Sequence, residues 1–193
     1  METNWKDASI PQQQLELNLK QLSSKDFYPE HWNSFLSLIK VANVETLYDL
    51  GCGVGSLYKL MKDNSIHIKY KGIDFSEHFI KTAKTTWNSE DFYVDSFRNL
   101  TDDFSNKIIY ASGLLDILVD GIKELDIILS YKAKYVLLSR IEIGTKQVSS
   151  YKAYGIEIIR YVFDKQEILS KIHEKNYKII KQIGTSYLLE LDI

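Results

Sequence analysis

Asp49, Gly51, Gly53 and Gly55 stand at alternate positions in a segment whose residue types can hold a charged ligand. The apolar run Thr46-Leu47-Tyr48-Asp49-Leu50 precedes them, and Leu57, Leu60 and Met61 follow at helical spacing. A strand therefore enters a helix through nearly bare backbone. Glycine tolerates the dihedral angles of such a turn and lets the main chain touch a ligand. The helix start adds free N–H groups and a partial positive charge. A second acid, Asp74, ends the next apolar segment, in which Ile66-His67-Ile68-Lys69-Tyr70 leads to Gly72-Ile73-Asp74. An acid about 20 residues beyond a glycine turn, at a strand end, can accept both hydrogen bonds of a ribose diol. Phe75 beside it is placed to lie against an adenine.

Alternating strands and helices must position these groups. Phe92-Tyr93-Val94, Ile108-Ile109-Tyr110-Ala111 and Tyr135-Val136-Leu137-Leu138 read as the third, fourth and fifth strands. Ser76 is a natural N-cap for a helix carrying Phe79, Ile80 and Ala83, and another helix is expected over Ile122 to Leu129. Such alternation implies a parallel sheet covered on both faces. Asp164 with Glu167 starts a late helix in the manner of a capping box, and Asn176 stops it. Tyr177 to Ile183 and Ser186 to Leu191 then follow, separated only by Gly184-Thr185. That gap is too short for a crossover, so these two strands should pair antiparallel. Residues 1–44 read as two helical pieces that cover the sheet of a core spanning 45–193.

The segment Leu-Tyr-Asp-Leu-Gly-Cys-Gly-Val-Gly resembles the first motif, D/E-x-G-x-G-x-G, of the class I S-adenosylmethionine-dependent methyltransferases. A dinucleotide fingerprint would be G-x-G-x-x-G, and here the third glycine comes one residue early. The resemblance implies a three-layer α/β Rossmann-like fold, with a mainly parallel seven-stranded sheet ending in an antiparallel hairpin. It implies S-adenosylmethionine as cofactor and S-adenosylhomocysteine as product. On this resemblance Asp49 sets the loop and its polar contacts, and the backbone of Gly51, Cys52, Gly53 and Gly55 lines the methionine part. It also places Asp95 on the adenine amino group, with the Ser96 N–H on a ring nitrogen. Ser112-Gly113-Leu114-Leu115 resembles a Ser-Gly-x-Leu segment in small bacterial methyltransferases associated with surface-polysaccharide biosynthesis, which implies a segment facing the reaction centre with Ser112 among the cofactor-binding residues. Ser139-Arg140 and Tyr161-Val162-Phe163-Asp164 extend that likeness.

Methyl transfer is a displacement at carbon, so positioning is the main catalytic task. A hydroxyl acceptor also needs a base. Among four histidines, His31 in the N-terminal cover is placed to close over the methyl group. Arg140 can hold an anionic group of the acceptor, and Tyr161 is a further candidate. The segment from Ile141 to Arg160, expected as a loop, supplies Tyr151, Tyr154 and several lysines. Aromatic and cationic residues together suit a sugar or a phosphate-bearing precursor. The expected function is O-directed methylation of a surface-glycan component or activated glycan precursor. Methylation of another small molecule at nitrogen or oxygen, and non-catalytic binding, stand beside it.

Composition narrows the rest. The formal net charge of -2, from 24 basic and 26 acidic residues, gives no general attraction to nucleic acid. Cys52 is the single cysteine, so no disulfide forms within the chain, and no histidine–cysteine spacing suits a metal. No apolar run approaches the roughly 20 residues that span a bilayer. The N-terminus lacks the apolar core of a signal peptide, so a cytoplasmic location is expected.

Overall fold

The computed structural model describes residues 5 and 7–192. Seven strands form one sheet: β1 (Thr46–Leu50), β2 (Lys69–Asp74), β3 (Phe92–Val94), β4 (Lys107–Ser112), β5 (Tyr135–Ser139), β9 (Tyr177–Ile183) and β10 (Ser186–Leu191). Their order is β3-β2-β1-β4-β5-β10-β9. The first five are parallel, and β10 runs antiparallel to both β5 and β9. This is the sheet expected from the sequence, terminal hairpin included.

Alternation along the strands divides the core into two faces. Leu47, Ile108, Leu137 and Leu188 look to one side, where α2 (Glu30–Leu38), α3 (Ser56–Asp63) and α4 (Glu77–Trp87) contribute Phe35, Leu60 and Ile80. Leu50, Ile109, Val136 and Leu189 look to the other, against Leu125 and Ile128 of α5 (Gly121–Ser130) and Ile168 and Ile172 of α6 (Lys165–Glu174). Burial on both faces explains why these strands read as continuous apolar runs. Helix α1 (Ile10–Leu22) reaches the first face through Leu22 at its end. Its Ile10 and Leu15 pack with Val54 and Phe79, and its Asn18 amide bonds the Ser56 hydroxyl, which fixes the helix across the glycine turn.

Several expectations need correction. Strand β2 begins only at Lys69, because Ile66 N–H is still tied to Met61 C=O at 3.0 Å after Ser65 turns with φ 54°. Ser76 starts α4, but its hydroxyl makes no capping bond, and its N–H goes to Asp74 Oδ1 at 2.9 Å. The largest correction concerns residues 141–160. In place of a loop, a second, three-stranded sheet forms in the order β6-β8-β7, from β6 (Ile143–Gly144), β7 (Gln147–Ala153) and β8 (Ile156–Asp164). Ala153 pairs with Ile156, leaving Tyr154-Gly155 as a two-residue turn with φ 54° and 75°. Two consecutive positive φ values define the type I′ turn, whose twist matches that of its strands.

Candidate active site

A cavity of about 800 Å³ opens at the carboxyl ends of β1, β2 and β4, where the strand order reverses. Open α/β sheets bind ligands at such a switch point, and sites for small molecules and cofactors run to roughly 300–1,000 Å³. Of the residues expected at the site, Gly51, Gly53, Asp74, Phe75, Asp95, Ser96, Ser112 and Arg140 line it.

Asp74 is the best-anchored of these. Buried at the end of β2, its Oδ2 accepts the Gly53 N–H at 3.0 Å and its Oδ1 the Ser76 N–H at 2.9 Å. Burial raises its pKa to about 6, against the lowering effect of the N–H groups of Ser76, Gly53 and Phe75. Three N–H donors fill three of the roughly four acceptor sites of the carboxylate and leave one for a further donor. Gly53, at φ 53°, faces the Gln14 side chain of α1, and a Cβ there would stand 2.5 Å from Gln14 Oε1. That oxygen also accepts the Val54 N–H at 3.3 Å. The glycine turn is thus a backbone cradle with an amide from the covering helix across it.

Asp49 lies beneath the cradle and does not line the cavity. It is buried and accepts the Tyr70 hydroxyl at 2.6 Å. Burial raises its pKa to about 7; the Tyr70 bond opposes this and the neighbouring Asp74 charge adds to it. Cys52 is buried under the same turn, and burial first, then the charges of Asp74 and Asp49, push its thiol well above the ordinary value. Gly55 caps α3 with φ 75°.

On the far side of Asp74, the Ser96 N–H donates to Asp95 Oδ1 at 2.7 Å. An adenine contacting both residues would share that bond. Arg98 forks onto Glu124 with contacts of 2.7 to 3.0 Å and closes this end of the cavity with Phe97 and Lys123. The sequence reading missed this pair, because its members are far apart in the chain and lie on different elements.

Beyond the glycine turn, Arg140 follows β5 with φ 63°. Its Nε donates to Ser112 Oγ at 3.2 Å and its second terminal nitrogen to Ser112 C=O at 2.8 Å. The guanidinium lies against the backbone of Gly113, whose φ is 58°; a Cβ there would collide with it. No carboxylate among the described residues comes within 4 Å of Arg140. Tyr151, Ala153, Tyr154 and Ile158 bring the β7–β8 hairpin to this end. Trp5 bridges the mouth, with its ring 6.3 Å from Tyr154 and 6.4 Å from Phe79.

Two expected catalytic residues lie outside the lining. His31 sits in the first turn of α2 with its ring edge-on to Trp32 at 5.9 Å. Burial, with help from the Arg140 charge, pushes its pKa down to about 3. Tyr161 lies three residues along β8 from Ile158, so strand alternation turns it to the opposite face. Leu114, from the segment expected to face the reaction centre, lines the cavity, and so do Gln14 and Asp116, which no motif marks. Among the described residues no group of three potential ligands could hold a metal ion. No helix there is long and apolar enough to cross a membrane.

No family model matches the chain. A protein of Invertebrate iridescent virus 6 whose name calls it a methyltransferase is 32% identical over 92 residues, 46% of this chain. The match spans only 33% of that viral protein's length. Among solved structures, an S-adenosylmethionine-dependent methyltransferase of Clostridium acetobutylicum superposes with a TM-score of 0.62 at 13% identity, covering 84% of this chain and 92% of that one. The sugar N-methyltransferase of a Streptoalloteichus species gives 0.62 at 7% identity, covering 85% and 87%. Magnesium protoporphyrin IX methyltransferase of Synechocystis, with S-adenosylmethionine bound, gives 0.55 at 16% identity, covering 82% and 76%. Strand order, terminal hairpin and superposition agree that this chain has the fold of the S-adenosylmethionine-dependent methyltransferases.

Proposed function

We propose that the protein is an S-adenosylmethionine-dependent methyltransferase acting on a small molecule. One observation carries this reading: on a methyltransferase sheet, Gly51, Gly53, Asp74, Asp95 and Ser112 all line one cavity at the strand-order reversal. The cofactor fits what stands there. The backbone of Gly51 and Gly53 would line its amino-acid end, Asp74 would accept from its ribose, and Phe75, Asp95, Ser96 and Phe97 would enclose its base. When bound, it supplies a methyl group activated on a sulfonium. The protein's part is to align the acceptor and exclude water, and Trp5, Leu17 and Tyr154 roof the cavity for that purpose.

The acceptor proposed is a hydroxyl of a glycan component or activated glycan precursor that also carries an anionic group. Arg140 supports the anion, since it faces the cavity without a carboxylate partner among the described residues. Tyr151 and Tyr154 support a sugar, whose apolar ring faces pack on aromatic rings. Calorimetry with S-adenosylmethionine, S-adenosylhomocysteine and NAD tests the cofactor. Heat with the first two is expected, and binding of NAD alone would remove the reading. Incubation with labelled S-adenosylmethionine and phosphorylated or nucleotide-linked sugars tests the acceptor, with a methylated sugar product expected.

A further inference from the structure

Asp116 is a buried acid to which no role has yet been given. It occupies the short 3-10 turn Leu115–Ile117, four residues beyond the end of β4, and is only 6% exposed while lining the cavity. Its Oδ1 accepts no hydrogen bond among the described residues. A buried carboxylate oxygen without a donor is costly, and such atoms are rare in folded proteins.

The charges around Asp116 leave it available. Arg160 of β8 pairs with Glu142, and the Arg140 guanidinium is turned onto Ser112. Tyr151 of β7 completes the set of titratable groups whose fields reach Asp116. Neither arginine forms an ion pair with it, although both are near enough to oppose the rise in its pKa that burial causes. The place of the turn matters too. Leu114, two residues before Asp116, reaches over the glycine cradle: a Cβ on Gly51 would be 3.2 Å from its Cδ1. Asp116 therefore stands where the amino-acid end of the cofactor site meets the acceptor end marked by Arg140 and Tyr151.

We propose that Asp116 is the catalytic base of the methyl transfer, taking the proton of the acceptor hydroxyl. This rests on the methyltransferase reading above. The acceptor oxygen forms a bond to the methyl carbon as the carbon–sulfur bond breaks. Sulfur keeps the bonding pair and becomes a neutral thioether, and the hydroxyl proton passes to the Asp116 carboxylate. The side chain meets the main requirements for a base: it is shielded from bulk water, its Oδ1 is without a donor among the described residues, and it stands on the acceptor side of the cradle.

A probe that needs no acceptor tests this. Sinefungin carries a primary amine on the carbon that replaces the methylated sulfur, so its ammonium marks the methyl position. Wild type is expected to bind sinefungin more tightly than S-adenosylhomocysteine. In Asp116→Asn the affinity for S-adenosylhomocysteine should stay within about twofold, while sinefungin loses about tenfold or more, as removal of a charge-assisted contact implies. Unchanged S-adenosylhomocysteine binding also shows that the variant is folded. An equal loss for both ligands would make Asp116 part of the cofactor pocket and overturn the proposal. An unchanged ratio would show that the carboxylate does not face the methyl. If wild type binds neither ligand, the methyltransferase reading fails and takes this proposal with it.

Discussion

The two ends of the cavity are built from different materials. At the cofactor end, backbone does most of the work: Gly53 and Ser76 N–H groups hold Asp74, and the carriers are short turns directly after β1 and β2. At the acceptor end, side chains from distant parts of the chain converge. Asp116 follows β4, Arg140 follows β5, and Tyr151 and Tyr154 arrive on the β7–β8 hairpin. Backbone cradles depend on a local sequence signature, whereas convergent side chains depend on the packing of the whole fold. The first end should therefore be sensitive to single atoms near the glycine turn. Single changes at the second should show in acceptor binding or turnover and leave cofactor affinity largely intact.

The largest effect on cofactor affinity is expected from Asp74→Ala. It removes the acceptor proposed for the ribose and leaves the Gly53 and Ser76 N–H groups without their partner. Bonds to a charged group contribute about 1.5–3 kcal/mol each, so the affinity for S-adenosylhomocysteine should fall roughly 10- to 100-fold. Calorimetry reads this directly, and an unchanged dissociation constant would show that the cofactor end does not rest on Asp74. Gly113→Ala comes next and acts at the other end. A Cβ at φ 58° is strained and collides with the Arg140 guanidinium, which must move off Ser112. The expected result is a KM for the acceptor raised about tenfold, with cofactor affinity within twofold. If cofactor affinity fell as much as acceptor affinity, the two ends would not be separable.

The same contrast decides what the sequence could reveal. Asp49-x-Gly51-x-Gly53-x-Gly55 and Asp74 are legible because a strand-to-helix turn and a strand-ending acid are local events with fixed spacing. The β9–β10 hairpin is legible because Gly184-Thr185 leaves no room for a crossover. The β7–β8 hairpin was not. Tyr154-Gly155 is an unusual I′ pair, Tyr lacking the usual tolerance of positive φ, and the exposed polar strand Gln147–Ala153 has little apolar alternation. Asp116 was hidden for another reason. In Leu114-Leu115-Asp116-Ile117-Leu118 a lone acid stands among apolar residues with no motif spacing to mark it. The chain makes one 3-10 turn and carries the carboxylate into the cavity. Gln14 sits in a glutamine-rich stretch where nothing local distinguishes it from its neighbours.

A smaller effect, on stability, comes from the buried acids of the cofactor end. Asp49 and Asp74 have pKa values raised from 3.8 to about 7 and about 6, both chiefly by burial. Between pH 4 and 7 the folded state thus holds protons that the unfolded chain has released, so stability falls as pH rises through that window and levels off above it. The thermal midpoint of the ligand-free protein should therefore decline as pH rises over that range. Asp49→Asn should flatten part of the slope, because the Tyr70 hydroxyl can still donate to the amide oxygen while the buried charge is gone. A variant that kept the full slope would show that Asp49 does not carry it.

The smallest effect is expected at His31. The imidazole lies outside the cavity lining, packed against Trp32, and its pKa of about 3 keeps it neutral across physiological pH. A neutral imidazole can accept a proton, but one held at pKa 3 does so weakly, because a base works best when its pKa lies near the operating pH. Loss of a general base costs roughly 10²- to 10⁴-fold in turnover. For His31→Ala the expected fall in kcat is less than about tenfold, well below that range, and Asp116→Asn should exceed it under the same conditions. The reverse order would move the base from the turn after β4 to the first turn of α2. The acceptor end would then be closed by the N-terminal helices and not by the sheet.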